Sequence, residues 1–244
     1  MNLHEYQAKT LMHEYGLPLA PMTVIDHDAK DQIESFMEQN PSDRWVVKAQ
    51  VHSGARGKAG GVKLASDLAG LKQACNELIG RSLVTQQTGS RGLPINQVLL
   101  EPAAEITHEY YLALTVDRTQ RRVVLVASKF GGMDIEQVAR DNPEAILQRF
   151  INPTVGFQAY QAREIAFALG LSGDSFKQMV KLLISAYRLF IERDISLLEI
   201  NPLGLLSDGQ LRVVDAKIGI DAVSYTHLRA HETGRNLVCR LLLE

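Results

Sequence analysis

Lys48, Arg56, Lys58 and Lys63 surround four glycines, Gly54, Gly57, Gly60 and Gly61, where the apolar run Val46–Val51 gives way to a loop. Glycines let backbone N–H groups come close to a ligand, and the lysines and arginine add positive charge around them. Such a loop suits a polyphosphate. It is not a Walker loop, because two residues instead of four separate Gly54 from Gly57, and Ala59 follows Lys58 where Ser or Thr would stand. The competing reading is a solvated basic loop with only general anion attraction.

A second set lies on two strand-like runs, Leu197–Pro202 and Leu211–Lys217, around Ser207-Asp-Gly-Gln210. A three-residue loop Ser207–Gly209, with Gly209 left-handed, places Asn201 opposite Asp215 and Glu199 opposite Lys217. These four then share one face, and Leu198, Ile200, Val214 and Ala216 share the other; a different turn length breaks this register. An amide oxygen beside a carboxylate offers hard ligands suited to Mg²⁺, which keeps waters and shares phosphate oxygens. The competing reading is an exposed strand face with a salt bridge. Glu101, Glu105 and Glu109 form a weaker third set. Glu101 ends one apolar strand and Glu109 opens another, so both can sit at a lobe junction where base and ribose are held. Without the other two sets they would carry no role. Of seven histidines only His52, beside the glycines, has a suggestive position, and a loop-anchoring or solvated role is the simpler one. The chain has no paired Cys–His metal spacing, no Gly-x-Ser-x-Gly elbow and no dinucleotide fingerprint.

The elements that must position these residues follow from periodicity. Val47, Ala49 and Val51 alternate on one strand face, which puts Lys48 and Gln50 on the other, where a core residue is not expected. Leu3, Tyr6, Leu11, Met12 and Tyr15 predict a first helix ending at Gly16-Leu-Pro18. Asp28–Glu38 and Asp67–Ile79 read as helices; Trp45–Val51, Val98–Glu101, Glu109–Val116 and Arg122–Ala127 read as strands. The last two flank the polar turn Asp117–Arg121, a hairpin signal that argues for an antiparallel sheet and against a doubly wound dinucleotide fold. Gly131-Gly132 and the polar stretch through Asn142-Pro143 and Asn152-Pro153 read as loops with a short helix. Phe176, Val180, Leu183, Tyr187 and Phe190 predict one amphipathic helix over 174–193, whose aromatics are core. The alternation predicts α/β (α+β) layering.

With 244 residues, 45% of them hydrophobic, the chain can bury a core as one large domain or two lobes. A net charge of -2 excludes a field that would draw the whole molecule to nucleic acid or an anionic membrane, so any anion site is local. Two cysteines, Cys75 and Cys239, support no disulfide framework and fit a reducing compartment, the cytosol by default. The N-terminus lacks the pattern of a signal or transit peptide, and no apolar run is long enough to span a bilayer.

Asn2–Lys9, Tyr15–Pro18, Val46–Lys48, Gln50–His52, Gly57–Gly61, Glu192–Asp194 and Glu199–Pro202 together resemble the β-subunit family of succinate–CoA ligases, within the ATP-grasp superfamily, from Met1 to about Asp221. The resemblance implies two lobes clamping ATP, approximately 23–103 and 1–22 plus 104–223. It implies Lys48 and the Ala55-Arg56-Gly57 backbone on the phosphates, Glu101, Ala104 and Glu109 around the adenosine, and Asn201 and Asp215 on Mg²⁺. Glu199 matches a carboxylate that contacts a phosphohistidine carried by a partner α subunit, in a heterodimer or heterotetramer, so no histidine here takes that role. The implied reaction interconverts succinate, CoA and ATP with succinyl-CoA, ADP and phosphate, in the tricarboxylic acid cycle. A related acid–CoA ligase β subunit, such as that of malate–CoA ligase, is the alternative, and ATP against GTP is not readable.

The chain departs from the family at Ser53-Gly-Ala55, which is usually richer in glycine, and more sharply after Val223. There the family continues into a C-terminal CoA-ligase domain, whereas Ser224–Glu244 resembles peptide translated from adapter sequence; a natural amphipathic tail helix is the alternative. A non-catalytic anion- or RNA-binding module would scatter basic and aromatic residues along a surface, which this chain does not.

Overall fold

The computed structural model describes residues 1–27, 31–53, 56–85 and 88–221. Helix α1 (Glu5–Glu14) starts where Gln7 Oε1 accepts the His4 N–H at 2.9 Å and stops before Gly16, whose φ is 73°. One unit then runs β1 (Thr23–Ile25), α2 (Gln32–Gln39), β2 (Trp45–Ala49), β3 (Val62–Ala65), α3 (Leu68–Leu78), the short pair β4 (Ser82–Leu83) and β5 (Leu93–Pro94), and β6 (Val98–Pro102). Four of its strands form a sheet in the order β1-β6-β2-β3. Val47, Ala49, Val98 and Leu100 of that sheet share a core with Ile33 of α2 and Leu71, Ala74, Cys75 and Leu78 of α3. Asp67 caps α3 by accepting the Gly70 N–H at 2.7 Å.

The second unit runs β7 (Ile106–Asp117), β8 (Arg122–Ser128), α4 (Ile135–Asp141), β9 (Leu147–Ile151), α5 (Ala159–Ala168), α6 (Gly173–Glu192), β10 (Ile195–Leu206), β11 (Leu211–Val213) and β12 (Ala216–Ile220). Its sheet order is β11-β10-β7-β8-β9, with β12 also on β10. Met179, Leu182, Leu183, Ala186, Leu189 and Phe190 form the buried stripe of α6, and they share a core with Leu112, Leu198 and Ile200. Ala8, Leu11 and Met12, with Leu3 just ahead of the helix, place α1 in this second core.

The hairpin around Asp117–Arg121 and the long helix form as predicted, the latter over Gly173–Glu192. Every strand ladder among the described residues is antiparallel. Five strands escaped the sequence reading: β4 and β5 are only two residues each, and the other three share a reason. β1, β3 and β9 are short edge strands: β3 follows the glycine loop and exposes Val62 and Leu64, and β9 lies between two Asn-Pro signals and exposes Phe150. Predicted helix 28–38 appears as α2; residues 28–30, together with Ala55 of the proposed phosphate loop and the proposed tail 224–244, lie outside the described residues.

Candidate functional site

Lys48 does lie opposite Val47 and Ala49, yet its face of β2 is not free. Lys48 is 6% exposed and Gln50 is 2% exposed, because α1 and Val214 lie against them. An unpaired ammonium is not tolerated in such a place. Lys48 Nζ sits 3.0 Å from Glu5 Oε1 and 2.8 Å from Glu101 Oε2, and donates to the Val214 carbonyl at 2.7 Å. Lys9 Nζ, from α1, sits 2.9 Å from the same Glu5 oxygen and 2.6 Å from Glu101 Oε1, and donates to the same carbonyl at 2.8 Å. Arg56 donates to Glu5 Oε2 at 2.6 Å, Asp215 Oδ1 at 2.8 Å and the Ala49 carbonyl at 3.0 Å. Three cations and three carboxylates therefore join α1, β2, β6, the glycine loop and the segment between β11 and β12.

The charges hold one another in their ionised forms. Burial alone would raise the Glu5 pKa, but Lys48, Lys9 and Arg56 bring it well below the usual carboxylate value. Burial would likewise lower the pKa of Lys48, and Glu5, Glu101 and Asp215 raise it above the ordinary lysine value instead. Arg56 behaves as Lys48 does, through Asp215 and Glu5. Beside this cluster His4 stacks on His52 at 3.8 Å, and burial, with His52 and Arg56 adding repulsion, pushes the His4 pKa down to about 4.

The hairpin takes the predicted register. Glu199 pairs with Lys217 and Ile200 with Ala216, Asn201 N–H donates to the Asp215 carbonyl at 3.1 Å, and Gly209 has φ 80° in the three-residue loop. Leu198, Ile200 and Ala216 are buried while Glu199, Asn201, Asp215 and Lys217 are half-buried; Val214, expected on the apolar face, is half-buried as well, because the run 211–217 breaks between β11 and β12 and Val213 takes the core position. The Asn201 amide is oriented from both ends: Oδ1 accepts the Gly132 N–H at 2.8 Å, and Nδ2 donates to the Met133 carbonyl at 3.1 Å. Gly132 is required there, since its φ is 71° and a Cβ would come within 2.0 Å of Glu109 Oε2. Glu109 also lines a shallow cavity of about 320 Å³ with His108, Lys129, Phe130 and Met133. Glu199 has its pKa raised by burial, against the opposing pull of Lys217 and a hydrogen bond from Tyr111.

The structure therefore brings Lys48, Arg56, Glu101 and Asp215 into one connected set, with Asn201 across the strand pair from Asp215 and Glu199 two residues before it. Ala104 lies half-buried in the connection between β6 and β7, and Gly57 is exposed. Glu109 is placed apart from the ion cluster, on the cavity wall. As a donor set for a hard cation, Asn201 and Asp215 supply two oxygens. Both hydrogen bonds to the Asp215 carboxylate use Oδ1, and the side chain is 41% exposed. Among the described residues no group of three or more His, Cys, Asp or Glu could hold a metal. The set thus fits Mg²⁺ only where waters and phosphate oxygens complete the shell. Glu5 and Lys9 were missed from sequence. Their signal was an oppositely charged i,i+4 pair on α1.

The ATP-grasp domain family matches residues 2–205 of this chain. The chain belongs to the ATP-grasp family. Succinate–CoA ligase [ADP-forming] subunit beta of Hydrogenovibrio crunogenus is 51% identical over 222 residues, covering 91% of this chain and 56% of the relative. The protein of the same name from Thioalkalivibrio sulfidiphilus is 49% identical over 221 residues, covering 91% and 57%. The chain thus spans little more than half the length of these curated relatives. ATP citrate lyase from Methanothrix soehngenii, solved with citrate and coenzyme A, superposes with a TM-score of 0.67 at 20% identity, over 96% of this chain and 55% of that one. A dinucleotide forming acetyl-coenzyme A synthetase 1 from Ca. Korarchaeum cryptofilum gives 0.68 at 18% identity, over 90% and 93%. These two likenesses concern the ATP-grasp fold alone.

Proposed function

We propose that this chain is the nucleotide-binding portion of an ADP-forming succinate–CoA ligase β subunit, which works with an α subunit and binds Mg·ATP between its two sheets. One observation carries the reading: the Arg56 side chain of the glycine loop touches Asp215, 2.8 Å away, so the residues proposed for phosphate and for metal meet at one point. The names of the relatives favour succinate, and malate–CoA ligase, the alternative, is not favoured.

In this reading Lys48 and the backbone of residues 55–57 take the phosphates, Glu101, Ala104 and Glu109 hold the adenosine, and Asn201 and Asp215 hold Mg²⁺. The metal, when bound, neutralises charge on the phosphate oxygens. Glu199 is the carboxylate offered to the α subunit's phosphohistidine. Its raised pKa suits a group that accepts or shares a proton near its partner. Among the described residues no helix is long and apolar enough to cross a membrane, and we place the chain in the cytoplasm.

Calorimetric titration of the folded chain with ATP tests the reading. Heat that requires Mg²⁺ is expected. Lys48→Ala should weaken binding by about 1.5–3 kcal/mol, the worth of a charge-assisted contact. Asp215→Asn should reduce the Mg²⁺ dependence while keeping the side chain's shape. Parent-like binding in both variants would return the loop and the hairpin face to purely structural roles.

A further inference from the structure

The two lysines of the buried cluster share one set of acceptors. Lys48 meets Glu5 Oε1, Glu101 Oε2 and the Val214 carbonyl; Lys9 meets Glu5 Oε1, Glu101 Oε1 and the same carbonyl. An ammonium has three protons to donate, so both groups are saturated. Lys48 consequently has no donor left for a phosphate oxygen in this arrangement. Turning it toward a ligand strips it from two buried carboxylates and a carbonyl, which is costly when those acceptors are left unpaired. Lys9 is fully buried on α1, one turn from Glu5, and is already bonded to all three partners.

We propose that Lys9 is a place-holding cation, which stays on Glu5, Glu101 and the Val214 carbonyl when Lys48 turns to the nucleotide phosphates. The proposal rests on the reading of Lys48 given under Proposed function. Lys9 touches no ligand in this scheme and acts as a positioning residue. By keeping the acceptors paired it raises the fraction of molecules whose Lys48 is free to bind. Removing it leaves Lys48 as the one ammonium on those acceptors, and the observed affinity falls in proportion to the lost fraction. Arg56 cannot take over, since its contact with this set is to the other oxygen of Glu5.

The test is a double-mutant cycle read by calorimetry with Mg·ATP, using the 244-residue chain, K9M, K48M and K9M/K48M, each checked for a cooperative melt. K48M should weaken binding. K9M should also weaken it, by about tenfold, yet add nothing further in the K48M background. Parent-like affinity in K9M alongside a weakened K48M overturns the proposal. So does an equal loss from K9M with and without Lys48, which would make Lys9 only one charge in a general field. Parent-like affinity in K48M instead removes the reading of Lys48, and the proposal falls with it. Where a variant does not fold, ¹⁵N NMR of the lysine ammonium groups in the parent chain decides. Mg·ATP should expose the Lys48 ammonium protons to solvent exchange and leave those of Lys9 protected; loss of protection at Lys9 overturns the proposal, and unchanged protection at both removes the reading of Lys48.

Discussion

In the cluster of Glu5, Lys9, Lys48, Arg56 and Glu101 every charge is buried and both ammonium groups are saturated, whereas Glu199, Asn201, Asp215 and Lys217 on the hairpin face stay half exposed. The first region is closed upon itself. The second keeps ligand capacity, because its polar groups are fixed in direction without being sealed from water. Asp215 belongs to both, with one oxygen bonded to Arg56 and a side chain that remains open to solvent. Charge that is buried and balanced serves mainly to fix geometry, and charge at a rim serves mainly to meet something else.

The largest effect expected from this difference is on stability. Glu101→Ala leaves Lys9 and Lys48 with one carboxylate where they had two, and breaking a buried ion set in this way costs about 3–5 kcal/mol. For a domain of this size that lowers the melting temperature by roughly 6–20 °C. Asn201→Ala on the open face removes hydrogen bonds worth about 0.5–1.5 kcal/mol each. Thermal unfolding of both variants checks the comparison, and equal losses would break it.

A smaller effect is expected where the open face is oriented. Gly132→Ala puts a Cβ at φ 71°, which costs about 1–2 kcal/mol in the left-handed region, and the Cβ also displaces the end of the Glu109 side chain. The melting temperature should fall by roughly 2–8 °C. An unchanged melt would mean that the Gly131-Gly132 turn readjusts freely and does not set the Asn201 amide.

The two regions differed just as much in how far they could be read from sequence. The hairpin register was legible because it is local: Gly209 fixes a three-residue loop, which sets the partners along the pair, although the strand break at Val214–Asp215 interrupts the alternation of faces. The closed cluster was not legible, because its members are separated by up to 210 positions and meet only once α1 has docked between β2, β6 and the Val214 backbone. Alternation correctly put Lys48 opposite the core side of β2. It could not say that a second layer would bury that side too. Glu5 and Lys9 sat in a motif that carried the family resemblance, yet nothing in their spacing pointed to residues 48, 56 or 101.

His4, at the mouth of the closed cluster, should give it a pH signature. Its folded pKa of about 4 lies below the ordinary 6.5, so the unfolded chain takes up a proton that the folded chain refuses. Stability is therefore full above pH 6.5 and falls as the pH drops toward 4. Discounted for the partial exposure of the ring, the loss is about 1 kcal/mol. In denaturant titrations between pH 7 and 5, His4→Gln should flatten the slope, and a slope that persists would move its origin to another group.

Glu199→Gln should have the smallest effect and the opposite sign. Burial raises the Glu199 pKa, so just above pH 4.5 the folded chain holds more of this proton than the unfolded chain does. Stability from this group is present at low pH and declines as the pH rises through 4.5 and the folded value. At neutral pH the ionised carboxylate is a mild liability, offset in part by Lys217 across the strand pair and by the Tyr111 hydroxyl. A glutamine keeps an oxygen for Tyr111 and removes the buried charge, while the lost Lys217 partner costs only about 0.2–1 kcal/mol at a half-exposed position. The variant should consequently match the parent or exceed it by a few tenths of a kcal/mol at pH 7, and the difference should vanish by pH 4. A clear loss at pH 7 would mean that the Glu199–Lys217 pair outweighs desolvation, and that the hairpin face is braced by its charges much as the buried cluster is.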